Sequence, residues 1–169
     1  MTGASLERKT ERFYKDYSDY QSDDTSQPSR HSESSMHRPV VCSGCGAVQH
    51  NNRWSWGIRP ADFNETHCPA CLRIQDRLPA GILTVRGDCF RGHRNEILHL
   101  IRSTVNKTGK QHPLKRIMDM EYDDIEAVFT FTDAQLPREI GDALQQSYEG
   151  ELEYRYNREG TILRVIWQR

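Results

Sequence analysis

Four cysteines in two identically spaced pairs are the residues best suited to chemistry in this 169-residue chain. They are Cys42 with Cys45, and Cys68 with Cys71. A Cys-x-x-Cys turn presents two thiolates from one tight loop, and two such turns supply the four soft ligands of a tetrahedral zinc site. The spacing therefore predicts one Zn²⁺ ion held by these four cysteines. Because four thiolates leave no coordination position for water, the ion is predicted to be structural and not catalytic.

Other interpretations of the paired cysteines stay open. A redox dithiol of the thioredoxin type places one Cys-x-x-Cys at the start of a helix within a βαβ unit, whereas these pairs lie in a short, turn-rich segment. A zinc-thiol switch would hold the metal until oxidation ejected it. His50 and His67 are close to the pairs in sequence, but a complete set of thiolates leaves both histidines outside the predicted ligand set.

No catalytic constellation is visible elsewhere. The chain contains no Gly-x-x-x-x-Gly-Lys-Ser/Thr loop, no Gly-x-Gly-x-x-Gly, no Gly-x-Ser-x-Gly and no His-Glu-x-x-His. Cys89 has Asp88 and His93 as neighbours, but catalytic triads assemble across a fold and not from adjacent residues. We interpret Cys89 as a small residue at a strand-to-helix junction. The sequence thus predicts a non-enzymatic protein with no small-molecule substrate.

Two tryptophans between the cysteine pairs are candidate nucleic-acid contacts. In a strand, Trp54 and Trp56 point to one side and Arg53 to the other, and a pair of exposed rings can stack nucleobases. The competing interpretation is that the rings cover the metal and supply a core that so small a region lacks. We expect one ring to be buried and the other to be partly exposed.

A local basic block is the second candidate contact surface. Residues 81–116 carry eight basic and two acidic side chains, whereas residues 117–169 carry five and twelve. A block of this kind suits phosphate backbones, and RNA is favoured over DNA because no recognition-helix pattern is visible. The alternative is a solvated face whose arginines pair with the acidic residues. The basic residues are Arg86, Arg91, Arg94, Arg102, Lys107, Lys110, Lys115 and Arg116.

Hydrophobic patterning predicts the elements that position these residues. The apolar stripe of Ile97, Leu98, Ile101 and Val105 indicates a helix, and period-two alternation indicates the strands. The order is βαββαββ, which predicts an α+β sandwich with both helices on one side of a mostly antiparallel sheet. Predicted strands are 81–86, 116–122, 125–132, 151–157 and 161–168, and predicted helices are 94–105 and 134–148.

Composition divides the chain into three predicted parts. Residues 1–38 are serine-rich and charged, and predict a disordered tail because they cannot bury enough apolar surface to offset their ordering entropy. A zinc ribbon is predicted over 39–78 and the α+β domain over 79–169. No run approaches the roughly 18 apolar residues of a spanning helix, and the N-terminus lacks an apolar signal segment. We therefore expect a cytoplasmic protein without a membrane partner.

The pattern from Cys42 to Trp167 resembles short bacterial zinc-ribbon proteins of unknown role. More distantly, it is similar to the N-terminal zinc-binding part of the large-ribosomal-subunit export adaptor, the "nonsense-mediated decay three" family. The four cysteines match that family's metal-ligand motif, and the later segment matches in element order and at scattered positions such as Arg86, Gly150 and Glu151. The resemblance implies a ribosome-associated adaptor without catalytic activity.

Together these features predict a zinc-ribbon adaptor that presents Trp54, Trp56 and the basic block to structured RNA, on a ribosomal particle. Zinc would fix the ribbon's geometry. A protein-interaction module, in which the acidic sheet edge engages a partner, is the second hypothesis.

Overall fold

The structure is a computed structural model of the chain and describes residues 38–158 and 160–169. Apart from Arg38, the predicted disordered tail lies outside these residues. The described part contains two β-sheets and three helices. No helix in it is both long enough and apolar enough to cross a membrane.

The first sheet is built from very short strands. They are β1 (Val40–Cys42), β2 (Val48–His50), β3 (Arg53–Ser55) and β4 (Asn64–Thr66), in the order β3-β2-β1-β4. Asn51 and Asn52 link β2 to β3 with φ values of 48° and 63°. A two-residue hairpin turn needs positive φ at both positions, and asparagine tolerates that conformation better than most residues. Helix α1 (Pro69–Asp76) follows the sheet.

The second sheet and its helices confirm the predicted βαββαββ order. The elements are β5 (Gly81–Arg86), α2 (Asp88–Gly109), β6 (Ile117–Tyr122), β7 (Glu126–Phe131), α3 (Gln135–Tyr148), β8 (Glu151–Tyr156) and β9 (Leu163–Gln168). The strand order is β6-β7-β5-β9-β8. Only the central pair β5 and β9 is parallel. The sheet is therefore mostly antiparallel, as the alternation predicted.

One apolar core lies between this sheet and the two helices. Alternate residues of β5, β7 and β9 face it, among them Leu83, Phe129 and Trp167, each fully buried. Ile97 and Ile101 of the predicted stripe enter the same core from α2, and Leu136, Ile140 and Leu144 enter it from α3. Because α2 and α3 share one core, both helices lie on the same face of the sheet.

The helix boundaries differ from the sequence prediction in instructive ways. Helix α2 begins at Asp88, six residues before the predicted start, and passes through non-helical dihedrals at His93. Phe90 in this first stretch is fully buried, so tertiary burial orders a segment that lacks the helical stripe. At α3 the Asp133 carboxylate accepts hydrogen bonds from the backbone N–H groups of Gln135 and Leu136, at 3.0 and 2.7 Å. These bonds satisfy two of the backbone N–H groups that have no intrahelical acceptor at the start of a helix.

Candidate metal centre

The four paired cysteines converge on one point. Cys42 ends β1, Cys45 lies in the turn to β2, and Cys68 and Cys71 lie at the start of α1. Their Sγ atoms all lie within 4.8 Å of one another, and all four thiols are free. The Cys45 and Cys68 Sγ atoms are 3.7 Å apart, close to the spacing of about 3.8 Å for two sulfurs bound tetrahedrally to zinc at about 2.3 Å. The cluster can hold one metal ion.

The first pair sits in a tight turn whose backbone requires glycine. The Cys42 N–H donates to the Ala47 carbonyl at 2.8 Å, and the Gly46 N–H donates to the Cys42 carbonyl at 2.8 Å. Gly46 has a φ of 77°, a backbone conformation that residues with a side chain adopt only at an energetic cost. At Gly44 a Cβ atom would lie 3.1 Å from the Cys71 Sγ atom. The two glycines therefore close the turn and let the second pair approach.

The second pair opens a helix and does not form a second turn-based knuckle. Cys68 is the N-cap of α1, and its sulfur accepts a hydrogen bond from the Cys71 N–H at 3.4 Å. Pro69 occupies the first helical position, where its fixed φ is favourable. A helix start is also where a redox dithiol of the thioredoxin type would lie. The convergence of both pairs within 4.8 Å is what favours a shared metal site.

Backbone N–H groups donate hydrogen bonds to the cysteine sulfurs, and the pKa values of Cys42 and Cys71 are shifted in opposite directions. The Cys68 N–H donates to the Cys42 sulfur at 3.2 Å. Burial raises the pKa of Cys42, but backbone N–H donors at Cys68, Cys45 and Gly44 outweigh burial and lower that pKa to about 6. At Cys71, burial and hydrogen bonds with the other cysteines raise the pKa to about 12, against the opposing effect of Arg116. A bound divalent metal must displace the remaining thiol protons.

Arg116 joins the cluster from the α+β domain. Its Nη2 atom lies 3.0 Å from the Cys45 sulfur and 3.7 Å from the Cys68 sulfur, and its Nη1 atom lies 3.6 Å from the Cys71 sulfur. The sequence prediction counted Arg116 among the phosphate contacts, whereas the structure directs its guanidinium to the cysteines. A charge count along the chain contains no information about this long-range contact.

The two tryptophans have different surroundings, but neither is fully buried, whereas the sequence analysis expected one buried ring. Trp54 is partly buried and packs against the core formed by Cys42, Ala47, Cys68 and Ala70. Trp56 is 46% exposed, and its Nε1–H donates to the Gly109 carbonyl at 2.6 Å, at the end of α2. Because β3 ends at Ser55, the strand alternation that predicted a two-ring platform does not extend to Trp56.

Half of the basic block, with Arg116 counted, has a side-chain partner among the described residues. Arg86 donates to the Gln168 side chain at 2.9 Å, Arg94 pairs with Asp124 at 3.0 Å, and Lys115 pairs with Glu139 at 2.8 Å. Asp124 and Glu139 are acidic residues of 117–169, the kind of partner that the solvated-face interpretation predicts, whereas Gln168 is uncharged. Four basic residues of α2 and its C-cap are exposed and have no ion pair with another described residue: Arg91, Arg102, Lys107 and Lys110.

The remaining candidates lie outside the metal cluster. His50 and His67 are exposed, and neither belongs to the group of metal-binding side chains. Arg53 is exposed on β3. Cys89 is partly buried in the first turn of α2, at the strand-to-helix junction predicted for it, and its N–H donates to the Arg169 carbonyl at 2.8 Å.

Comparison with known proteins does not extend these observations. No protein-family model, no curated protein and no solved structure matches the chain. The resemblance to the ribosomal export adaptor stays a prediction, and the geometry of the chain itself is what bears on function.

Proposed function

We propose that the protein is a non-enzymatic adaptor that holds one structural zinc ion and binds structured RNA, in the cytoplasm and on a ribosomal particle. The observation that carries the RNA proposal is the position of Trp56. Its exposed ring is attached by a hydrogen bond to the last residue of α2, Gly109. Arg102, Lys107 and Lys110 lie on the same stretch of that helix and its cap, exposed and without an ion pair to another described residue.

This pairing of an aromatic face with free cations suits nucleic acid. Arginine and lysine neutralise phosphates and release counterions, while an exposed ring stacks on an unpaired base. At a rise of about 1.5 Å per residue, the exposed cations from Arg102 to Lys110 span about 12 Å of α2. A surface of that length contacts successive phosphates of one strand. An RNA with both a duplex and an unpaired end fits it better than a uniform duplex.

The proposed zinc ion serves this surface by ordering the region that carries Trp56. The first sheet has strands of three residues each, which bury too little to be stable alone. Cys42 and Cys45 would hold the β1–β2 turn to the metal, and Cys68 and Cys71 would hold α1 to it. When bound, the ion supplies binding free energy that becomes folding free energy.

A charge-matched pair of variants tests RNA binding. The test variant is Arg102→Gln/Lys110→Gln, and the control is Arg94→Gln/Lys115→Gln, which also removes two positive charges but from residues already paired. Binding of a labelled RNA hairpin with a single-stranded end is followed by fluorescence anisotropy across salt concentrations. We expect the test variant alone to reduce the slope of log K against log salt by about 1.5 to 2. Equal slopes in both variants would remove the C-terminal end of α2 from the contact.

A protein-interaction module is the second candidate, and the exposed edge strand β8 favours it. All residues of Glu151–Tyr156 except Leu152 are exposed, and among the described strands β8 pairs with β9 alone. An edge strand offers free backbone groups to an added strand of another protein.

Density-gradient sedimentation of lysate with and without ribonuclease distinguishes the adaptor from the protein-interaction module. Nuclease-sensitive sedimentation with ribosomal particles supports the adaptor, and one stoichiometric protein partner that survives nuclease supports the module.

A further inference from the structure

Arg116 connects the α+β domain, through its backbone, with the cysteine cluster, through its guanidinium group. Its backbone is fixed in the α+β domain, where its N–H donates to the Thr132 Oγ1 atom at 2.9 Å and its carbonyl accepts from the Thr132 N–H at 3.0 Å. Its side chain reaches the cysteine cluster. The same residue thus belongs to one region by its main chain and to the other by its charge.

The guanidinium group has nearly all its hydrogen-bonding directions assigned. The Nε–H donates to the Pro113 carbonyl at 2.6 Å, which fixes the orientation of the planar group. The two Nη atoms then face three of the four cluster sulfurs, with the shortest contact of 3.0 Å to Cys45. The Trp56 ring lies 5.8 Å from the Arg116 Cζ atom. Arg116 is only partly exposed to solvent, so it is not a free surface cation.

A cation in this position complements the charge of a metal bound by four thiolates. A divalent ion with four thiolates carries a net charge of −2, and burying such a charge is costly unless cations and hydrogen-bond donors accompany it. Hydrogen bonds to the sulfurs also orient them and reduce their tendency to take up protons, because the electron density that a proton would use is already engaged. The planar guanidinium of an arginine stays protonated in proteins, so Arg116 keeps its positive charge beside the sulfurs.

We propose that Arg116 is a positioning residue of the metal centre, supplying from the α+β domain the counter-charge and sulfur hydrogen bonds that slow release of the metal. The inference rests on the proposed zinc ion. It assigns Arg116 to metal retention and removes it from the set of phosphate contacts.

Zinc release from the full-length, zinc-loaded protein tests this role. The variants are Arg116→Gln and Arg116→Lys, with Arg94→Gln as the control because it also neutralises an arginine of the α+β domain but contacts Asp124. Transfer of zinc to a chromophoric chelator is followed in time. Loss of a residue that hydrogen-bonds to the metal ligands typically weakens metal binding by about 10- to 100-fold. We expect release at least about tenfold faster in Arg116→Gln, an intermediate rate in Arg116→Lys, and no change in Arg94→Gln.

The outcomes separate this inference from the proposal on which it depends. If elemental analysis of the purified wild-type protein finds no zinc, and added zinc does not bind, the metal proposal fails. If the wild type holds one ion and Arg116→Gln releases it at the wild-type rate, the metal proposal stands and the role of Arg116 is overturned. Arg116→Lys keeps the comparison usable if Arg116→Gln does not fold.

The spectrum of the cobalt-substituted protein distinguishes a positioning role from a merely structural one. Removing hydrogen-bond donors and a positive charge raises the energy of the sulfur lone pairs, so the thiolate-to-cobalt charge-transfer band is expected to move to lower energy in Arg116→Gln. Arg116→Lys, which keeps the charge but not the planar fork, is expected to shift less. An unmoved band in both variants contradicts direct action of Arg116 on the sulfurs.

Discussion

The cysteine region and the α+β domain are stabilised by different kinds of core. The core around the cysteines contains Cys42, Ala47, Cys68 and Ala70, with Trp54 and Leu114 partly buried against it. The core of the α+β domain has fifteen buried residues, and its largest members are aromatic side chains such as Phe90, Phe129 and Trp167. Together with Val41 and Val48, which are also buried in the first sheet, these side chains form a much smaller apolar core with which to offset the entropy of ordering four strands and a helix. The proposed metal would supply the stability that the small core of the cysteine region lacks, whereas the α+β domain is stabilised by apolar burial.

Metal removal is expected to have the largest effect and to unfold the cysteine region while the α+β domain stays folded. A strong chelator, or Cys68→Ser, should abolish hydrogen-exchange protection in β1–β4 and α1, because structural zinc contributes about 10 to 16 kcal/mol in small zinc-binding domains. Protection in β5, β7 and β9 should persist, since their core contains no ligand. Cys89→Ser is the control, as Cys89 lies outside the metal cluster. Loss of protection in both regions together would show that they fold as one cooperative unit.

A cavity in the α+β core is expected to have the next largest effect, in the opposite region. Phe129 is fully buried on β7, beside the central strand β5 of the second sheet, and truncating a buried phenylalanine to alanine costs about 3 to 5 kcal/mol. Phe129→Ala should lower the midpoint of urea unfolding while zinc content per folded molecule stays at the wild-type value. Phe129→Leu should show a smaller loss. Release of zinc from the folded variant would mean that the α+β core also maintains the metal site.

The two regions also differ in how far the sequence predicted them. In the α+β domain, alternation and the apolar stripe predicted the strand and helix order correctly, because those elements bury one face each in a common core. In the cysteine region, the four clustered cysteines followed from their spacing, but α1 did not follow. Ala70 is its only buried residue, and Leu72 and Ile74 are exposed. With so few buried positions, α1 lacks the amphipathic pattern from which a helix is predicted.

Long-range contacts were the part that no local pattern predicted. Arg116 was grouped with the phosphate contacts because the count treated all cations of residues 81–116 alike. Arg116 differs from the other cations in its position, because the fold brings the start of β6 to the cysteine cluster. Likewise, Trp56 is distinguished from Trp54 by its hydrogen bond to Gly109, 53 residues further along the chain.

Substitutions of the two tryptophans test whether Trp56 contacts RNA while Trp54 serves the core of the cysteine region. Trp56→Ala should weaken binding of an RNA with an unpaired end by about 1 to 3 kcal/mol, because one stacking surface is lost. Trp56→Phe keeps a ring but loses the hydrogen bond to Gly109, and should bind with an intermediate affinity. Anisotropy measures both, and zinc content confirms that each variant is loaded. Trp54→Phe is the matched control, because Trp54 packs against the cysteine core. Equal loss of RNA binding in Trp54→Phe and Trp56→Phe would contradict a specific contact at Trp56.

The smallest expected effect lies at the edge of the α+β domain, where a polar contact adds to a stability that the apolar core provides. The Tyr154 hydroxyl donates to the Asp142 carboxylate. Burial, followed by the hydrogen bond and charge of Asp142, raises the Tyr154 pKa to about 12, against the opposing charge of Arg138. The unfolded value is about 10, so the folded state binds the proton more tightly. The contribution to stability is therefore complete below about pH 10 and is lost as pH rises through about 12.

Comparison of wild type with Tyr154→Phe isolates this contribution from the other tyrosines. Because Tyr154 is 39% exposed, solvent screening should limit its contribution to a few tenths of a kcal/mol. Urea unfolding of both proteins should show a small wild-type advantage at pH 8 that diminishes toward pH 11. Tyr122→Phe, at another exposed tyrosine, should show no such trend. A wild-type advantage that grows with pH would mean that the unfolded chain binds the Tyr154 proton more tightly than the folded protein does.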